Sequence, residues 1–184
     1  YYKITSFSVG LGYNWKEDAT KEHKLFPINI SDVKTDTLDI SKSNEFNLSN
    51  LTFNGLILGP TYEYTYNSQL GNKQRIDNYY FDGQADFSGN ILGLAQGTSL
   101  EKSPKKIFDL QYAQYAKIQI DFRYYHQYAT EKILATRFFF GLGVPYGNSK
   151  TLPNIKQFFS GGSSSLRGFS SRLVGPGSYH FTQT

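Results

Sequence analysis

The chain has 184 residues, a net charge of +4, 15 Tyr and 15 Phe against one Trp, and neither Cys nor Met. That length suits one ordinary domain, and Leu, Ile, Val and Phe at about 26% lie above the roughly 20% below which chains stay disordered. Disulfide scaffolds, thiolate zinc sites and cysteine nucleophiles are excluded, and so is a helical membrane protein, because the longest apolar stretch, Phe138 to Val144, falls far short of the ~18 residues a spanning helix needs.

In chain order the dominant signal has period two, which predicts strands with one apolar and one polar face. Phe7, Val9, Leu11, Tyr13 and Trp15 alternate with Ser6, Ser8, Gly10, Gly12 and Asn14. Phe26, Ile28 and Ile30 alternate with Pro27, Asn29 and Ser31. Leu56, Leu58, Tyr62, Tyr64 and Tyr66 oppose Ile57, Gly59, Thr61, Glu63 and Thr65. A fourth strand sets Tyr79, Phe81, Ala85, Phe87 and Ile91 against Tyr80, Asp82, Gln84, Asp86, Ser88 and Asn90. A fifth sets Tyr112, Ala116, Ile118, Ile120, Phe122, Tyr124 and Tyr128 against Gln111, Lys117, Gln119, Asp121, Arg123 and Gln127. The sixth has Leu134, Phe138, Phe140, Leu142 and Val144 against Ala135, Arg137, Gly141 and Gly143.

These strands are long, near the ~9–11 residues that cross a bilayer when tilted. Aromatic residues gather towards strand ends, as in the girdles of membrane barrels. The polar face carries mid-strand charges, Asp82, Asp86, Lys117, Asp121, Arg123 and Arg137. A soluble core would not take these unpaired, whereas a wet lumen would. Connections alternate in length: 16–23, 67–75 and 129–132 are short, and 34–52, 96–109 and 145–184 are long. Short turns on one side and long loops on the other predict a transmembrane barrel with the long loops outside the cell. A soluble lipocalin-like barrel has similar length and alternation, and periodicity alone does not tell in from out.

After Val144 the alternation stops. Gly161-Gly162 and a serine run lead into Leu166-Arg167-Gly168-Phe169, then Gly175-Pro176. A Walker-type phosphate loop is not read here, because its Gly-Lys-Ser/Thr ending is absent. The run from Phe158 to Pro176 resembles the sixth extracellular loop of the BamA/TamA superfamily of outer-membrane assembly and translocation proteins. Its pattern is an aromatic-x-Gly-Gly segment, then Arg-Gly-Phe/Tyr, then Gly-Pro. Gly12 to Lys16 and Phe26-Pro27-Ile28 also look like the TamL lipoprotein type.

The resemblance implies an all-β fold, part of a transmembrane antiparallel barrel, with about six strands of sixteen plus the long sixth loop. Residues 1–144 are then six barrel strands with their connections. Residues 145–184 are a loop that folds into the lumen and the start of the next strand. Further strands and periplasmic POTRA domains are expected outside this chain. The loop residues implied are Gly161, Gly162, Arg167, Gly168, Phe169, Gly175 and Pro176. Arg167 would meet an acidic partner on later strands, and Phe169 would anchor the tip. Asp82, Asp86, Asp121, Arg123 and Arg137 are lumen candidates. Pairing of the carboxylates with Lys117, Arg123 or Arg137 across strands is expected more than contact with the loop.

The implied role is non-enzymatic, with no cofactor or metal. It is insertion of β-barrel proteins, or movement of protein or lipid, across a Gram-negative outer membrane. The partners would be outer-membrane lipids, client proteins, POTRA domains and accessory proteins. Basic residues are scattered, so no nucleic acid is expected. His23, His126 and His180 form no catalytic or metal motif. The alternatives are a passive porin or ligand-binding barrel, and a soluble lipocalin-like lipid binder.

Overall fold

A computed structural model describes residues 2–37, 53–71, 75–96, 105–107, 109–163 and 166–169. It contains eight strands and one short helix. The strands are β1 (Tyr2–Lys16), β2 (Lys21–Thr37), β3 (Gly55–Asn67), β4 (Asp77–Ser88), β5 (Lys106–Ile107), β6 (Leu110–Tyr112), β7 (Tyr115–Ala129) and β8 (Lys132–Pro145). Helix α1 is Asn90–Gln96. The six long strands form one antiparallel sheet in the order β1-β2-β3-β4-β7-β8, each beside its neighbour in sequence apart from the β5–β6 insertion.

Alternation sorts the two faces as expected. Phe7, Val9, Leu11, Tyr13, Ile28, Ile30, Ile118, Phe138, Phe140 and Leu142 are all exposed on one face. The other face is polar and carries the segment 152–158, which lies against β7 and β8. That packing separates inside from outside: the covered polar face is the lumen and the bare apolar face is the lipid side. An inward apolar face, as a lipocalin requires, is not what this sheet presents.

Two of the predicted short connections are seen as tight turns, while most of the long ones, 34–52, 96–109 and the end of 145–184, lies outside the described residues. Residues 17–20 turn β1 into β2, with Asp18 Oδ1 accepting from the Thr20 amide (2.6 Å), the Thr20 hydroxyl (2.6 Å) and the Lys21 amide (3.0 Å). Those hydrogen bonds, the Thr20 hydroxyl first, hold the Asp18 carboxyl below its ordinary value. Residues 130–131 are a two-residue hairpin, since Ala129 pairs with Lys132. At this short-turn end the outward rings stack. Trp15 lies on His23 (4.7 Å, 2°) and Tyr79 on Tyr124 (5.3 Å). Asp77 accepts from Tyr124 (2.6 Å) and pairs with His126 (2.7 Å). His126 thus lies among the outward aromatic rings of this end.

Three expectations are corrected. Phe26 does not share a face with Ile28 and Ile30. A bulge between Phe26 and Asn29 puts an extra β2 residue opposite both neighbours, and Phe26 faces the lumen over Gly12. Pro27 explains the position, because it has no N–H for the ladder and bulges tolerate it. Ile91 lies in α1, not in β4, which stops at Ser88. Tyr112 belongs to β6, a short strand parallel to the start of β3, and is fully buried instead of lipid-facing. Loop edges shift accordingly: β2 runs to Thr37 and β8 takes in Pro145.

The insertion has a hydrogen-bonding rationale. β4 pairs with β3 only over Thr61–Asn67. Beyond that, Leu58 C=O accepts from Gly89 N–H (2.7 Å) and Leu56 C=O from Ala113 N–H (2.8 Å), while Gly55 and Leu56 pair with β6. The β3 edge is thereby satisfied to its end, as buried backbone must be.

Candidate functional site

The lumen face and the chain after β8 meet in one assembly. Asn148 fixes its root. The Asn148 side chain is buried; it donates to Lys105 C=O (3.0 Å) and Tyr112 C=O (2.9 Å) and accepts from Lys105 N–H (2.7 Å). Its own amide donates to Gln114 Oε1 (2.9 Å), and Gln114 N–H donates to Ser149 Oγ (2.8 Å). Asn148→Ala removes the three hydrogen bonds that tie Lys105 and Tyr112 to this root, each worth ~0.5–1.5 kcal/mol. It should therefore speed amide exchange in β5 and β6, with protection in β7 unchanged.

From this root a strap, residues 152–158, runs down the lumen wall. Two glycines of β8 receive it. A Cβ on Gly141 would lie 2.5 Å from Phe158 Cζ, and one on Gly143 2.5 Å from Leu152 Cδ1. The ring of Phe158 stands edge-on to Phe139 (6.3 Å) and takes Lys117 Nζ over its face at 4.4 Å. A one-turn 3-10 segment, Asn154–Lys156, then aims Lys156 at the wall. Lys156 Nζ meets Asp86 Oδ2 at 2.5 Å. Tyr115 OH (3.2 Å) and Thr61 Oγ1 (3.4 Å) donate to the same carboxylate, which is 5% exposed.

The lumen candidates thus divide. Asp121 follows the expected strand pairing and is gripped twice. Arg123 reaches it along its own strand (3.2 and 2.7 Å) and Arg137 from β8 (3.0 and 2.8 Å), each bidentate. Asp86 departs from it: its cation is Lys156 of the loop, not Lys117. Asp82 accepts from Thr65 Oγ1 (3.1 Å) and has no ion pair among the described residues. Lys156 was not singled out in the sequence, because a lone lysine in an aperiodic segment carries no signal. Beside the strap lies a polar cleft of about 300 Å³ between Ser8, Asn29, Glu63, Gln84 and Lys156.

Of the loop residues, Gly161 (φ 97°), Gly162 (φ 91°) and Gly168 (φ 91°) occupy the left-handed region that favours glycine. Gly162 N–H donates to Phe169 C=O (2.8 Å), which brings the Arg-Gly-Phe segment back beside the glycine pair. Phe169 does not anchor this tip among the described residues. It is 58% exposed, whereas Phe158 and Leu152 pack over Gly141 and Gly143. Arg167 is exposed, with no ion pair among the described residues. Gly175, Pro176 and His180 lie outside the described residues.

The sequence matches the family model of the Omp85 superfamily domain over residues 2–183. No curated protein matches it.

Proposed function

This chain belongs to the Omp85 superfamily of outer-membrane barrels, and from that membership we propose that it forms wall and loop of a protein-assembly or translocation barrel. The observation that supports this best is the strap. A passive pore needs a clear lumen, whereas here residues 152–158 are seated in two glycine notches and tied to Asp86. Beyond the strap Gly162 N–H donates to Phe169 C=O, and Arg167, whose guanidinium offers five fixed donors, is exposed.

The role is non-enzymatic. The wall would insert client barrels or pass protein or lipid, working with POTRA domains and accessory proteins. Arg167 is the residue that would transmit loop position to the barrel. Hydrogen bonds to charged groups are worth ~1.5–3 kcal/mol, so Arg167→Ala in the intact protein should lower client assembly ~10- to 100-fold. The unheated band on a detergent gel should keep its folded mobility. Undiminished assembly by that variant would favour a porin.

A further inference from the structure

Helix α1 rests on the outside of the wall. Phe87, Ala116 and Val144 are register partners and form the last outward row of β4, β7 and β8. The ladder continues one step, with Tyr146 N–H donating to Gln114 C=O (3.1 Å). By alternation Gln114 and Tyr146 carry the outward parity too. α1 packs on this pair. Tyr146 OH donates to Asn90 Oδ1, and at Gly93 any Cβ would strike the Gln114 amide.

Ile91 and Leu94, three residues apart, share a helix face turned from that contact. They are the two most exposed large apolar side chains among the described residues, at 74% and 86%. The helix NILGLAQ holds no charge. Seven residues are too few for a helix to sustain itself in water, and the contact with Gln114 and Tyr146 leaves this face uncovered among the described residues.

We propose that α1 is an interfacial helix whose Ile91 and Leu94 insert into the acyl chains of the outer leaflet, extending the lipid-facing band of the wall. Height agrees. Tyr124, in the girdle, and Ala116 are eight residues apart, ~26 Å along a strand at ~3.3 Å per residue. At a tilt of ~40° that is ~20 Å of height, against an apolar band ~25 Å tall in such barrels. One row above Ala116, α1 lies at the upper edge of the band. This inference rests on the membrane reading above.

The test is a nitroxide label at Leu94→Cys in the intact protein, reconstituted in phosphatidylcholine vesicles. The chain has no Cys to compete. Ile118→Cys serves as the mid-band reference and Gln69→Cys, in the exposed turn after β3, as the aqueous one. Leu94 is expected to resemble Ile118, open to oxygen and closed to a water-soluble nickel chelate. Nickel access like that at Gln69, with Ile118 still lipid-like, overturns the proposal and leaves the membrane reading standing. Exclusion of both reagents at Leu94 also overturns it, since protein would then cover the helix. An aqueous Ile118 overturns both.

Discussion

Gly59→Ala should cost the barrel wall upwards of ~3 kcal/mol, at the top of the range for overpacking. The added methyl would overlap the Phe87 carbonyl oxygen and come within 2.9 Å of Phe87 C and Ser88 Cα. All three are backbone atoms, so no rotamer change relieves them. β4 must move away from β3 where their pairing ends. Gly89 N–H then leaves Leu58 C=O, and Leu58 N–H leaves Ser88 Oγ (3.2 Å). Asp86 lies two residues back and shifts with its strand. Gly10→Ala makes the control, because its Cβ would meet nothing closer than Ile28 O at 3.5 Å. The measurement is the temperature at which the folded gel band converts to the unfolded one. Gly59→Ala should lower it by many degrees, and Gly10→Ala should leave it in place. Equal behaviour of the two would mean that the β3–β4 crossing yields more easily than its geometry implies.

Much of the wall is legible in the sequence because burial on one side imposes strict alternation. Phe7 to Trp15, Ala116 to Tyr128 and Leu134 to Val144 each lie in a strand with the faces read from it. Alternation fails where the chain leaves the sheet without changing parity. Phe87 and Ile91 are both odd, so a strand continuing to Ile91 and a strand followed by a helix give the same pattern. Tyr112 and Ala116 are both even, and the break at residues 113–114 is equally silent. Pro27 was the one local sign of a bulge, since a proline cannot serve a ladder on both sides. The site was half visible. Carboxylates at mid-strand marked Asp86 and Asp121 as lumen groups, because their positions follow from parity. Their partners depend on which segment crosses the wall. Arg123 and Arg137 are neighbours in the ladder and could be read, while Lys156 comes from a chain reversal that no periodicity reports. Gly141 and Gly143 read as polar-face spacers, and only the docked Phe158 and Leu152 show what the missing side chains make room for.

Lys156→Ala should release the strap, and it should do so more completely than Asp86→Asn. With lysine gone, the Asp86 carboxylate, 5% exposed while the strap is seated, keeps only two hydroxyl donors, Tyr115 and Thr61. Removing one member of a buried pair costs ~3–5 kcal/mol because the other charge is left uncompensated. Lumen water reaches the Lys156 side chain, which is partly exposed, so the cost here should fall nearer ~2 kcal/mol. Asp86→Asn leaves no such charge. The amide oxygen still accepts from Tyr115 or Thr61, and the freed ammonium can turn into the cleft between Glu63 and Gln84. The double variant should then resemble Asp86→Asn alone. That non-additivity marks a direct pair and separates it from two independent packing defects. Amide exchange of residues 154–158 supplies the readout. Protection should drop most in Lys156→Ala, less in Asp86→Asn, and no further in the double variant. Additive losses would show that Leu152 and Phe158 in their glycine notches hold the strap, with the ion pair as a bystander. If the pair is the latch, Lys156→Ala should also displace the Arg167 segment and lower client assembly while the folded gel band persists, because the wall at Asp121 keeps both of its arginines.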